Sequence, residues 1–226
     1  MLGRVLAIAL IAGVAAGLVA TAVQGLKLWP LIAAAERIEQ SHAAHDAAGH
    51  GHEHAHDDWA PADGPERAAF TVLFNILAGV GFALVLNGAL LLRQTMAGSG
   101  ALDVRAGLLW GLAGFACFAL APALGLPPEL PGMASADLLD RQIWWILTAL
   151  ATACGIALMV FGGGAWKALG VALLVAPHLY GAPRGEEFGA VPAELAAEFV
   201  AASLVAAASF WLVLGGVSGW LHRRLS

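Results

Sequence analysis

The chain has 226 residues, of which 60% are hydrophobic and only 12% charged, and its mean hydropathy is +0.78. A soluble domain carries about twice that charged fraction and cannot bury so much apolar surface, so the composition excludes an ordinary water-soluble fold and points to lipid as solvent. The net charge of −5 gives no basic surface for nucleic acid, and the two cysteines, Cys117 and Cys154, sit in apolar runs where they read as packing residues rather than a disulfide or thiolate ligands.

Six apolar runs follow in chain order: residues 5–29, 68–92, 106–124, 143–161, 165–180 and 195–221. Five reach or approach the roughly 20 residues that a spanning helix needs. The fifth is short and contains Pro177, so five spans are the fallback to a predicted six. The first run opens after Arg4 and contains Ala20-Thr21-Ala22, as a cleavable signal peptide would. It continues to Trp29, longer than the roughly 7–15 residues of a signal core, which favours a retained span. Tryptophans near run ends suit an interfacial belt, although Trp110 and Trp211 fit packing equally well. Small residues four apart (Gly13/Gly17, Gly107/Gly111, Gly215/Gly219) predict faces where helix backbones approach closely.

With the N-terminus inside and six alternating spans, the inner segments hold Arg4, Arg93, Arg105, Lys167, Arg223 and Arg224, and of the acids only Asp103. The outer side holds Lys27, Arg37, Arg67, Arg141 and Arg184 with the other fifteen acids. The inner basic residues lie in very short segments beside helix ends, where the positive-inside bias acts, so both termini are predicted to be cytoplasmic.

The first outer segment departs from everything around it. Within a loop assigned to residues 30–67 lie His42, His45, His50, His52, His54 and His56, with Glu53, Asp57 and Asp58 among or beside them. Imidazole suits the later first-row divalent metals, and adjacent carboxylates neutralise charge. From His50 to His56 every second residue is histidine. An extended chain puts these on one side, while Gly49 and Gly51 weaken a helix. The expectation is a tether that wraps a metal; the bland alternative is a polar loop that binds metal incidentally. His52-Glu53-His54-Ala55-His56 also fits the H-E-x-x-H pattern of zinc proteases. That motif works on a helix with a further ligand, and neither is evident, so the chain is not read as an enzyme.

Polar groups within apolar runs are expensive and often functional. Asn75 and Asn87 lie in the second run, Gln24 in the first and Gln142 at the start of the fourth. His178 follows Pro177, and Glu194 and Glu198 open the sixth run four residues apart, on one helical face. With Glu36 and Asn75 these outline a permeation path, against the plainer reading that the two carboxylates merely suit a helix N-terminus. His222, beside Arg223 and Arg224, reads as an interfacial residue. The proline-rich stretch 121–132 is either a structured cap carrying Glu129 or a rigid outer turn.

Several stretches together resemble the CbtA family of predicted cobalt transporter subunits, and the likeness covers nearly the whole chain. They are the His-rich first loop; Trp59-Ala-Pro-Ala-Asp-Gly64 with Glu66-Arg67; Gly107-Leu-Leu-Trp-Gly-Leu-Ala-Gly-Phe115; Leu120-Ala-Pro-Ala-Leu-Gly-Leu-Pro-Pro-Glu-Leu-Pro-Gly132; Arg141-Gln-Ile-Trp-Trp145; Pro177-His178; and Val191-Pro-Ala-Glu-Leu-Ala-Ala197. The resemblance implies a bacterial inner-membrane protein for cobalt uptake towards cobalamin biosynthesis, working with a small one-span, histidine-bearing partner (CbtB-like). It supplies no ligand set.

The sequence therefore predicts one all-α transmembrane domain over residues 1–226, with an extracytoplasmic His/Asp/Glu loop that captures Co²⁺ (Ni²⁺ or Zn²⁺ being the other candidates) for uptake. No organic cofactor is expected. A membrane metal sensor or chaperone, or an assembly subunit that binds metal without moving it, is the alternative. No G-x-x-x-x-G-K-[ST] motif occurs, so any ATP drive would come from another protein.

Overall fold

A computed structural model describes residues 2–47, 64–97, 102–185 and 191–225, without the side chains of 42–47 and 97. Among the described residues all regular structure is helical: α1 (Leu2–Val23), a π-helical turn (Gln24–Leu28), α2 (Trp29–Ala47), α3 (Pro65–Ala97), α4 (Val104–Phe115), a second π turn (Ala116–Leu120), α5 (Ala121–Ala123), α6 (Leu138–Phe161), α7 (Ala165–Tyr180) and α8 (Ala193–Arg224).

The first helix does not stop at Trp29. Through the π turn it continues into α2, giving about 70 Å of unbroken helix at 1.5 Å per residue, over twice the roughly 30 Å hydrocarbon core. The first part of the 30–67 segment is thus helical as far as Ala47, and residues 48–63 lie outside the described residues. Pro30 explains the π turn. In a regular helix its ring meets the carbonyl four residues back, which breaks or kinks the helix. Here the Trp29 N–H instead reaches back five residues to the Gln24 carbonyl, widening the turn before the proline. The second π turn repeats the device, with the Ala121 N–H bonded to the Ala116 carbonyl just ahead of Pro122.

The helices associate as three antiparallel pairs, each closed by glycines. In α1/α3 a Cβ added to Gly13 would lie 2.5 Å from the Val80 Cα, and one added to Gly17 would lie 2.6 Å from the Asn75 carbonyl oxygen. In α4/α8 Gly107 meets the backbone of Gly215 and Gly219. In α6/α7 a Cβ on Gly155 or Gly170 would lie 2.8 Å from the other's carbonyl oxygen. Without water between helices, such close van der Waals approach is what holds apolar helices together. Contact between α1 and α8 joins the first two pairs around small residues (Ala9, Ala12, Ala16, Ala83), Leu90, Leu214 and the fully packed Trp211. Phe118 stacks on Trp211 with ring centroids 5.5 Å apart. The α6/α7 pair is a satellite: among the described residues α7 packs on α6 alone, and α6 leans on the second π turn, α5 and α4.

Arg4 Nη1 donates to the Leu225 carbonyl at 2.6 Å, so both termini share one end of the bundle, called here the termini end. α6 finishes at that end, where the Arg93 guanidinium lies 5.1 Å from the Phe161 ring centroid. α7 then returns to the opposite, loop end, where His178 meets Trp144 edge-on. Among the described residues the helices therefore run six times between the two ends. Five of them are long and apolar enough to cross a membrane; α7, about 24 Å long, falls short of the usual length. At the loop end the stretch 124–137 is a structured cap. Leu130 is buried with Leu28, Ala35 and Phe199, and Glu129 accepts from Ser135 and pairs with Arg141 at 2.8 Å.

Candidate functional site

Polar side chains gather where α1, its π turn and α2 face the start of α3. Asn75 on α3 donates to Thr21 Oγ1 at 3.0 Å and to Gln24 Oε1 at 2.7 Å. Its Oδ1 accepts no bond among the described residues. Gln24 opens the π turn, so the proline-driven widening is what carries this amide on the helix face towards α3. Gln24 also lines a half-open groove of about 640 Å³, walled by Leu28, Trp29, Ile32 and Ala68, with Thr71 and Arg67 towards the loop end. Arg67 Nη2 pairs with Glu36 Oε1 of α2 at 2.7 Å, and the Glu36 side chain is 27% exposed. Gln24, Thr71 and Arg67 are thus the polar residues of an otherwise apolar groove, with Asn75 bonded to Gln24 and Glu36 paired to Arg67 beside it. Gly64, where the described chain resumes, lines the same groove.

The structure brings Glu36 and Asn75 of the expected path onto neighbouring helices. It does not gather His178, Glu194 and Glu198: among the described residues no three His, Cys, Asp or Glu side chains come together as a metal site. Glu194 and Glu198 are exposed at the start of α8, whose Leu195 and Phe199 turn inward against α2 instead. His178 is half-buried in the satellite pair. His42 and His45 lie on the last turns of α2, and His50, His52, Glu53, His54, His56, Asp57 and Asp58 lie outside the described residues, as does the H-E-x-x-H match.

One polar group belongs elsewhere than the sequence suggested. His222 is not interfacial but 3% exposed, with Nε2 2.7 Å from Asn87 Oδ1. Asn87 in turn donates to Ser218 Oγ at 3.2 Å and to the Ala83 carbonyl at 2.7 Å. A signal was available: Asn87, Ser218 and His222 interrupt apolar stretches, and 218 and 222 share a helical face. The neighbouring arginines masked it.

Six glycine-packed passes with polar groups held between them define a multi-pass membrane protein. The chain belongs to the CbtA family: the family model, described as a probable cobalt transporter subunit (CbtA), matches residues 2–223. Neither a curated protein nor a solved structure matches the chain. By that description the class is that of a transporter subunit.

Proposed function

We propose that this subunit takes up a divalent transition metal, cobalt by its family, across the bacterial inner membrane. The loop end faces outward and both termini lie in the cytoplasm. His42, His45, His50, His52, His54 and His56, with Glu53, Asp57 and Asp58, capture the hydrated ion. The observation that carries this reading is the groove between α1–α2 and α3, whose mainly apolar wall carries Gln24, Thr71 and Arg67. It opens beside Gly64, where the chain re-emerges from the histidine-rich stretch. Glu36 offers the first fixed carboxylate, and a dication arriving there competes with Arg67 for it. Below lie the Gln24 and Asn75 amides, oxygen donors that can replace part of a hydration shell. The exposed Glu194 and Glu198, with His178, serve as peripheral contacts at the same end. General affinity order does not favour Co²⁺ over Ni²⁺, so the choice of ion rests on the family. A small one-span, histidine-bearing partner completes the system.

The test is uptake of labelled Co²⁺ by cells depleted of their own cobalt importers. The intact protein is compared with a version whose six loop histidines are alanine, each with and without the small partner. Collapse of uptake in the alanine version is the expected result. Unchanged uptake would make the loop dispensable. No uptake by the intact protein even with the partner would favour a metal sensor or assembly subunit.

A further inference from the structure

Arg93 stands near the end of α3 with no counter-charge. Among the described residues it makes neither an ion pair nor a hydrogen bond, and its guanidinium lies over the Phe161 ring at the end of α6, 5.1 Å from the centroid. Its Nε is sealed from solvent without an acceptor, while the residue as a whole is half-buried. The guanidinium is therefore neither free in water nor paired with a carboxylate. Drawing a cation partly out of water is costly, and an aromatic face returns only part of that cost. The chain has no anion to spare here. Arg4, Arg105, Lys167, Arg223 and Arg224 are further cations of the termini end. Among the described residues Asp103 is the one acidic side chain there, and it caps α4 by accepting from the Ala106 N–H at 2.8 Å. The Gly-Ser-Gly-Ala stretch of residues 98–101 carries no acid.

The side chain reaches across a gap. Among the described residues the α3 and α6 backbones make no contact: α3 packs chiefly on α1, and α6 meets the bundle through the second π turn, α5 and α4. The sides of the gap are apolar and open. Leu92, beside Arg93, is exposed, as are Met159, Val160 and Phe161 in the last turn of α6. α7 begins at the same end with exposed Trp166 and Lys167. Apolar surface thus runs up to a rim of cations with no free acid. An acyl chain fits the first and an anionic headgroup the second, and basic pockets between transmembrane helices select lipids in this way. A free phosphate would use the cations and leave the apolar sides bare. Held flat over Phe161, the guanidinium keeps its Nη groups for the phosphate oxygens, which a planar fork can bind in pairs.

We propose that Arg93, laid over Phe161, anchors one anionic phospholipid in the gap between α3 and the α6/α7 pair. The phosphate supplies the charge that the chain lacks at this end. The acyl chains cover Leu92, Met159 and Val160, so the lipid joins the satellite pair to the bundle where the helices themselves stand apart. The site does not depend on the transport reading.

The test is native mass spectrometry of the full chain, delipidated in mild detergent and titrated with phosphatidylglycerol, phosphatidylcholine or inorganic phosphate. The expected result is one saturable phosphatidylglycerol, bound at least about tenfold more tightly than phosphatidylcholine and not displaced by inorganic phosphate at the same concentration. Arg93→Gln should weaken that binding at least about fivefold. Arg223→Gln with Arg224→Gln, which removes two cations of α8 at the same end, should leave it within about twofold. Equal affinity for the two lipids overturns the proposal, as does undiminished binding by Arg93→Gln. An equal loss in the α8 double variant overturns it too, since the attraction would then be a diffuse charge effect. Displacement by inorganic phosphate would make this an ion site and not a lipid site. If Arg93→Gln fails to assemble, a photoactivatable phosphatidylglycerol bound to the parent chain decides. Labelling of residues 85–93 or 156–167 is expected, and labelling confined to other segments overturns the proposal.

Discussion

Asn75 shows what a single side chain does in this bundle. Its amide satisfies Thr21 and Gln24 across the α1–α3 contact. Asn75→Leu strands both partners, at about 1–3 kcal/mol for each buried polar group left unpaired. The expected outcome is Co²⁺ uptake at least tenfold lower at an equal amount of protein in the membrane. Uptake unchanged per molecule would remove Asn75 from the path. The histidine-rich segment makes a second prediction. Imidazoles bind metal only when unprotonated, so affinity is present near neutral pH and is lost below about pH 6. Calorimetric titration at pH 7.5 and 5.5 checks this, and pH-independent binding rules out a histidine-led capture step. Residue identity alone marked Asn75 and Asn87 as unusual, because an amide in an apolar run is conspicuous. It could not say which was paired with what. His222 was misread because its burial comes from α3, which no local pattern around Arg223 and Arg224 reveals.

At the level of elements, hydropathy located each long apolar helix, and the α7 range of 165–180 was predicted to the residue. α3 and α8 extend outward at both ends and α6 at its start, since helices continue beyond the bilayer as long as water or caps satisfy their termini. The largest difference was at Pro30. The apolar run ends at Trp29, so residues beyond it were read as loop, but the π turn before Pro30 let the helix continue. Glycine spacing correctly marked packing faces, while the pairing of those faces came only from the structure. Gly13→Leu should prevent closure of the α1/α3 pair, where a Cβ already meets Val80 at 2.5 Å. Gly3→Leu, with no neighbour within 4 Å, should be tolerated. Gel filtration in mild detergent checks this: the first variant should lose most of its monodisperse peak and the second should keep it. Equal behaviour would show that the close approach is not what holds the pair.

The whole molecule has its termini together and six passes between two ends. Side-specific labelling of single cysteines in an otherwise cysteine-free chain tests this. Labels at residues 2, 163 and 225 should react from the cytoplasmic side, and labels at 126 and 182 from the outside. A label at 182 reacting from the cytoplasm would restore the five-span arrangement. By itself the sequence determined the lipid solvent, the helical class and the positions of the long apolar helices. Those follow from composition and from which residues stand near one another along the chain. Tertiary structure alone decided that α7 completes a sixth pass, that α1 and α2 are one helix, that Gln24 meets Asn75, and that His222 is sealed behind Asn87. The Gln24–Asn75 and His222–Asn87 contacts join groups 51 and 135 residues apart, and the other two depend on helix packing or on a backbone turn, none of which leaves a mark in local periodicity.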